Sequence, residues 1–385
     1  MKKRALMYAS VASMIQQFNM ENIRLLLQSG YEVDVVCNME QGSTITPEKI
    51  AAMREELEAM GVQVTHVPIP RKISAIREII DSFRKSRSIM AQREYDLIHC
   101  HSPIGGVLCR LANRFSGRYG KAKMIYTAHG FHFFKGAPLV NWLIFYPLEW
   151  LCSWFTDVLI TINQEDHELA RRKMKARQVT YVPGIGVDLN KFRPDASALE
   201  PLRRELGLEP GQIVLLSIGE LSTRKNHEVV FRALAQLPHS NYQYLICGLG
   251  SLKEYLEQLA VELGLTERVQ FLGYRNDIPQ ILNIADFYLF PSLQEGLPVA
   301  LMEAMAAGKA VACSRIRGNT DLIDDGQGGF LVASDDAAGF ADAIRKIMAE
   351  PEIREQMKRY NLKKIQNYSI EAVSNQMAEL YRSVM

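Results

Sequence analysis

The stretch "DFYLFPSLQEGLPVALMEAMAAG", residues 286–308, crosses from one kind of structure to another. "DFYLFPS" is a short apolar run rich in aromatic residues and closed by Pro291, the pattern of a strand buried on both faces. "PVALMEAMAAG" reads as a helix, with Pro298 suited to its first turn and Gly308 to its end. Two glutamates, Glu295 and Glu303, stand eight positions apart. Eight helical residues would separate them by about 12 Å, too far for a carboxylate pair on one helix face. Because Glu295 precedes the helix, the two can approach one site from different elements. Gly296 and Leu297 would offer backbone N–H groups at a helix N-terminus, a favourable place for a phosphate. The plainer alternative is that Glu295 complements the helix dipole and Glu303 is a solvated helix residue.

Outward from this stretch the same rhythm recurs. "QIVLLSIG", "YQYLICG", "RVQFLG", "KAVACS" and "GGFLV" alternate with amphipathic segments, and so do "RALMYA", "YEVDVVC", "VQVTHVPI", "YDLIHC", "KMIYTA", "DVLITI" and "VTYVP" in the first half. Short β-rich runs alternating with longer helical patterns indicate parallel sheets with crossover helices. The chain of 385 residues exceeds what one hydrophobic core usually serves. "GVDLNKFRPDASALEPLRRELGLEPGQ", with its acidic residues and prolines, breaks the rhythm near residue 190. Two Rossmann-like domains are therefore expected, residues 1–190 and 191–368, with the amphipathic stretch 369–385 free to end on either. Ligands of open α/β sheets sit at the carboxyl ends of strands. That singles out residues 10–15, 99–106, 129–136, 219–226, 248–251 and 291–298.

The motif "EGLPVALME" resembles the E-G-x-P signature, followed by a second glutamate, of the retaining nucleotide-sugar glycosyltransferases of family 4, whose fold is GT-B: two Rossmann-like domains facing across a cleft. The resemblance covers nearly the whole chain. It implies that Glu303 holds the ribose hydroxyls of the nucleotide, while Glu295 and the Gly296–Leu297 backbone lie against the donor sugar and diphosphate. "SIGELSTRKNHE" follows Gly219 and carries Lys225, a point charge suited to a diphosphate. Family members often have an arginine where this chain has Glu220, and Arg224 is the substitute expected here. "CGLGS" ends a strand at Gly248, where a backbone can approach a ligand closely. "VQFLGYRNDIPQIL" resembles the segment that packs on the base, through Gly273, Tyr274 and Arg275; a plain turn is the other reading.

In the first half, "DLIHCHSPIGGVLCRLA" places His99, His101 and Ser102 at a strand end before Gly105 and Gly106, and "YTAHGFHFFKG" does the same with His129 and His132. His129 matches the family histidine that contacts the donor sugar near its reacting carbon, and His101 has a weaker claim. The first loop, around Ser10 and Ser13, lacks the glycines many members have and reads as an acceptor-side loop. Trp142, Tyr146, Trp150 and Trp154 recur at helical spacing. Such a stripe is often core, but it lies in the basic half of the chain: residues 1–190 carry 24 Lys and Arg against 18 Asp and Glu. Contact with an anionic membrane surface is the expectation.

Composition narrows the rest. A formal charge of +2 argues against a nucleic-acid protein. The six cysteines are scattered through apolar runs and read as reduced core thiols of a cytoplasmic protein. "MKKRALMYASVASMI" mimics a signal peptide yet leads into a helix and a strand, so it reads as strand one. No uncharged apolar run reaches the length of a membrane span. No Asp-x-Asp pair or acidic cluster suggests a metal, and no cofactor is expected beyond the donor itself. The family resemblance implies metal-independent, retaining transfer of a hexose or N-acetylhexosamine from a nucleotide diphosphate sugar, foremost a UDP-sugar. The acceptor expected from the same resemblance is a lipid-linked glycan at the cytosolic membrane face, in capsule or exopolysaccharide synthesis. A soluble acceptor, or an epimerase or binding protein of the same fold, is the alternative.

Overall fold

The computed structural model describes residues 2–41, 45–193, 196–238 and 241–384. The chain divides into two compact units: one runs through Ile185 and includes the segment from Val373 onward, and the other is Gly186–Ala372. Pro194, part of the predicted linker, lies outside the described residues.

The first unit is built on seven strands, β1 (Arg4–Val11), β2 (Glu32–Asn38), β3 (Gln63–His66), β4 (Leu97–His101), β5 (Lys123–Ala128), β6 (Val158–Thr161) and β7 (Gln178–Tyr181). Every pairing is parallel, in the order β3-β2-β1-β4-β5-β6-β7. Because side chains alternate across a strand, β1 feeds both faces: Ala5, Met7 and Ala9 join one apolar cluster, Leu6 and Tyr8 the other. The C-terminal helix Ile370–Val384 closes the first face with Val373, Met377, Leu380 and Tyr381, a helical stripe. The basic N-terminal segment is indeed the first strand, central and buried.

The second unit holds β8 (Ile213–Ile218), β9 (Tyr242–Cys247), β10 (Val269–Gly273), β11 (Phe287–Phe290), β12 (Ala310–Ser314) and β13 (Gly329–Val332). Their order, β10-β9-β8-β11-β12-β13, is again parallel throughout. Each sheet therefore reverses its winding once, between β1 and β4 in the first unit and between β8 and β11 in the second. Crevices for ligands open at the carboxyl ends of strands at such reversals. Between β8 and β11 the register pairs Leu215 with Phe287 and Leu216 with Tyr288. One residue further the Ser217 hydroxyl donates to the Leu289 carbonyl at 2.7 Å.

No described helix is long and apolar enough to cross a membrane. All six cysteines are buried and unpaired.

Candidate active site

The two loops that leave β8 and β11 meet at the reversal point of the second sheet. After β8 the chain forms a short 3-10 turn, Thr223–Lys225, ended by Asn226 in the left-handed region at φ 54°. Asparagine is one of the few non-glycine residues that tolerates this conformation. The Asn226 amide fixes it by donating to the carbonyls of Pro291 and Ser334 at 3.1 and 2.8 Å. The turn thus delivers Arg224 and Lys225 onto the loop after β11. Both cations reach the same oxygen of Glu295, Arg224 Nη1 and Lys225 Nζ each at 2.8 Å from Oε1. Arg224 also donates to the Gln294 carbonyl at 3.2 Å.

Lys225 and Glu295 are nearly buried, whereas the Arg224 side chain is 45% exposed. Burial lowers the Lys225 ammonium below its ordinary value, and the Glu295 carboxylate works against that fall. The Lys225 ammonium also lies 4.6 Å from the centre of the Phe290 ring. Arg224 and Lys225 thus share one carboxylate, with Glu220 adding a second negative charge that acts on Lys225.

The helix after β11 spans Val299–Ala306, with Pro298 as its N-cap rather than its first residue. Its end is as expected: Gly308, at φ 67°, donates to the Met305 carbonyl while Lys309 donates to that of Ala304. Gly296 is pinned by the next loop, since a side chain at Gly318 would stand 2.3 Å from the Gly296 carbonyl. Arg317, buried, donates to the Glu295 carbonyl at 3.1 Å. Leu297 turns its side chain inward. The Glu303 side chain, in the middle of this helix, has no hydrogen-bond partner or ion pair among the described residues. Burial raises its carboxyl to about 7, with Lys191 pulling weakly the other way. A largely buried carboxyl with no side-chain partner, beside the carboxyl ends of the strands, is a candidate for holding a ligand.

Gly219 and Gly248 have a structural reason beside any ligand. A Cβ on Gly248 would lie 1.8 Å from the Gly219 carbonyl, and one on Gly219 would meet the Lys225 side chain at 3.1 Å. The Gly248 N–H donates to Gly273 at 2.8 Å, so three strand ends are tied together. Tyr274 is exposed. Arg275 is committed elsewhere, bonded to Asp277 through Nε and Nη2 and to Glu205 at 3.0 Å.

In the first unit the carboxyl ends of β4 and β5 carry a cluster of histidines. His99 bonds the Tyr381 and Thr127 hydroxyls, each at 2.8 Å. His101 stacks on His99 with centroids 4.2 Å apart and bonds His129 at 3.1 Å, Nδ1 to Nε2. Burial lowers all three, His129 to about 4 and His99 to about 3, so they are neutral near pH 7. His132 is not part of the cluster and stacks on Phe145. The loop expected around Ser10 and Ser13 is instead a direct junction of β1 with the helix Ala12–Phe18; both serines are buried, and Ser10 accepts from the Gly105 N–H at 3.0 Å. Gly105 and Gly106 are needed for packing, since side chains there would strike Ser10 and the Tyr126 ring. Sequence reasoning missed Asn226, Arg317, Tyr381 and Met7; of these only Asn226 carries a local signal, as a turn former before a helix.

The aromatic stripe divides. Trp142 and Tyr146 pack on Phe133 at 5.5 and 5.4 Å, while Trp150 and Trp154 lie edge to face and exposed. The exposed face of the helix Leu139–Ser153 is aliphatic, formed by Leu139, Val140, Leu143, Ile144 and Leu151 with Trp154 beyond its end. Among the described residues no group of three or more His, Cys, Asp or Glu is placed to hold a metal ion.

Residues 15–191 match the family described as Glycosyltransferase Family 4, and residues 200–364 the one described as Glycosyl transferases group 1. A Bacillus subtilis (strain 168) protein named "Putative glycosyltransferase EpsD" is 33% identical over 390 residues, covering 100% of this chain and 98% of its own. An Escherichia coli protein named UDP-Gal:alpha-D-GlcNAc-diphosphoundecaprenol alpha-1,3-galactosyltransferase is 27% identical over 375 residues, covering 95% of this chain and 93% of its own. The crystal structure of Anabaena HepE in complex with UDP superposes with a TM-score of 0.77 at 20% identity, covering 99% of this chain and 100% of that one. Two parallel Rossmann-like units in one chain, alike in strand order, are the architecture of the GT-B fold. The chain belongs to the family 4 glycosyltransferases of that fold.

Proposed function

We propose that this glycosyltransferase moves a sugar from a UDP-sugar to a lipid-linked glycan at the cytosolic face of a membrane, with retention at the anomeric carbon and without a metal. The observation that carries the reading is the pairing of two features at the β8–β11 reversal: Arg224 and Lys225 gathered on Glu295, and Glu303 left without a partner. In this reading Glu303 accepts the two ribose hydroxyls, Lys225 and Arg224 neutralise the diphosphate together with the Gly296 and Leu297 N–H groups, and Glu295 faces the sugar; the family resemblance assigns a donor-sugar contact to His129 as well. The residue 273–275 backbone faces the base. The bond from the anomeric carbon to the phosphate oxygen breaks, and the acceptor oxygen bonds to that carbon on the same face. The acceptor's proton passes to the departing diphosphate, whose charge the two cations stabilise.

Two relatives support the choice of substrates: HepE was crystallised with UDP, and the E. coli relative is named for UDP-galactose and a diphosphoundecaprenol-linked sugar. The membrane contact rests on the uncharged, exposed face of Leu139–Ser153 in a unit with a basic excess. The test is a panel of nucleotide sugars incubated with lipid-extracted acceptors and read by mass of the product. Acceptor-dependent consumption of a UDP-sugar with a lipid-linked product is expected. Transfer only to a soluble sugar phosphate would overturn the acceptor, and interconversion of the donor alone would overturn the reaction.

A further inference from the structure

The histidine cluster contains one contact whose polarity is fixed. His101 Nε2 lies 3.2 Å from the sulfur of Met7, in a fully buried position at the centre of β1. A thioether has no proton to give and is only a weak acceptor. At this distance a bare nitrogen lone pair would face the sulfur lone pairs, so Nε2 carries the proton. A neutral imidazole has one N–H, so His101 Nδ1 is then an acceptor. Its partner at 3.1 Å is His129 Nε2, which must donate. By the same rule His129 Nδ1 is left bare, and it has no hydrogen-bond partner among the described residues.

We infer that Met7, acting through His101, locks His129 in the Nε2–H tautomer, so that His129 offers its Nδ1 as an acceptor to a hydroxyl of the substrate sugar. A second observation agrees. A cavity of about 30 Å³, lined by His101, Thr127, His129, Phe18, Glu21 and Ser374, adjoins the ring. That is the space of one water or one hydroxyl. Phe18 holds the His129 ring edge-on at 5.3 Å, and His99 supports His101 from behind, anchored to Tyr381 of the C-terminal helix. The device selects by chemistry: a hydroxyl can donate to a bare nitrogen, whereas a carboxylate or phosphate oxygen there would meet a lone pair. Met7 and His101 are positioning residues, and His129 is the group that touches the sugar, a role that rests on the function proposed above.

The test separates the two. Long-range ¹H–¹⁵N spectra of histidine-labelled protein at neutral pH should show His129 bare at Nδ1 and protonated at Nε2; the opposite tautomer would overturn the inference. Met7→Leu conserves volume and keeps the core filled. It should leave His129 as a mixture of tautomers and raise KM for the nucleotide sugar about three- to tenfold. The Kd for UDP alone should be unchanged. Met124→Leu, in the same sheet but away from His101 and His129, should change neither reading. If Met7→Leu left the tautomer fixed, the relay would be wrong. If it freed the tautomer without moving KM, the relay would stand and the placement of His129 against the sugar would fall.

Discussion

Replacing Glu303 with glutamine should make the free enzyme more stable and at the same time cost it its nucleotide. In the unfolded chain the carboxyl titrates near 4.5; in the fold, burial in the helix Val299–Ala306 raises it to about 7. A raised folded-state value means that the native protein keeps its proton where the unfolded chain has lost it. The associated stability is fully present below pH 4.5 and is lost as the pH climbs through 7. The displacement corresponds to at most about 3 kcal/mol between the protonation states. Most of that is given up between pH 5 and pH 8, and an amide of the same shape recovers it because it never ionises. For a unit of this size about 2 kcal/mol shifts the melting temperature by roughly 4–8 °C. Differential scanning fluorimetry at pH 5 and pH 8, with and without UDP, reads all of it. Glu303→Gln should melt higher than the parent at pH 8, close to it at pH 5, and should lose most of the UDP-induced rise. In the parent, UDP affinity should weaken below pH 7 as Glu303, proposed to accept the ribose hydroxyls, becomes protonated. A variant that melts lower at pH 8, as removal of an ordinary structural glutamate would, refutes the reasoning.

The charge cluster predicts a graded loss. Lys225→Met should lower kcat/KM about 10²- to 10³-fold, and Arg224→Ala, whose side chain is far more exposed, about tenfold. Unchanged UDP affinity and turnover in Arg224→Ala would remove it as the stand-in for the arginine replaced by Glu220. Gly248→Ala would place a methyl group 1.8 Å from the Gly219 carbonyl. It should lower stability by about 3 kcal/mol in urea titration. Arg110, paired with Glu149 at 2.7 Å and stacked over Tyr126, is the one ion pair buried this deeply in the first unit among the described residues. Arg110→Met should cost about 3–5 kcal/mol by leaving Glu149 charged with only the Tyr126 hydroxyl as its partner, and Arg110→Met with Glu149→Leu much less. Leu143→Glu combined with Trp154→Ser should abolish sedimentation with anionic vesicles while leaving UDP binding intact; persistent sedimentation would place the lipid contact elsewhere.

The thirteen strands were legible because each is a compact apolar run, and period and composition are local properties. Only their ends moved: "VQVTHVPI" pairs only over Gln63–His66. The helix at 139–153 shows the limit. Apolar residues occupy nearly all of its circumference, so periodicity alone could not choose its buried face; Phe133, from the preceding loop, does so by taking Trp142 and Tyr146. Glu295, Glu303 and Lys225 were legible because a motif and a strand-to-helix transition mark them. Their partners were not. Tyr381 meets His99 across 282 positions, and Met7 reaches His101 across 94. Nothing in either neighbourhood announces the contact, because the sheet order creates the second and the packing of the C-terminal helix the first.

The backbone carries a further sign of where function is concentrated. Among the described residues only Ser102 and Asn226 hold a positive φ without being glycine, at 68° and 54°. Ser102 follows β4 and Asn226 lies in the loop after β8, so each stands beside the reversal point of its own sheet. Such conformations cost about 1–3 kcal/mol and persist only where the surroundings over-determine them. For Asn226 the over-determination is visible, since its amide is tied to Pro291 and Ser334, and the reward is a turn that holds Arg224 and Lys225 on Glu295. Ser102 has no such tie: its hydroxyl is buried without a partner. What fixes it is the backbone on either side, His101 locked into the histidine cluster and the Gly106 N–H bonded to the Ser102 carbonyl at 2.7 Å. The strain at Ser102 is therefore borne by the same packing that orients His101, and relaxing it would release the histidines. In both units the strained residue adjoins side chains to which the proposed function gives a role, so Ser102→Gly and Asn226→Gly are where loosened geometry should show first in turnover.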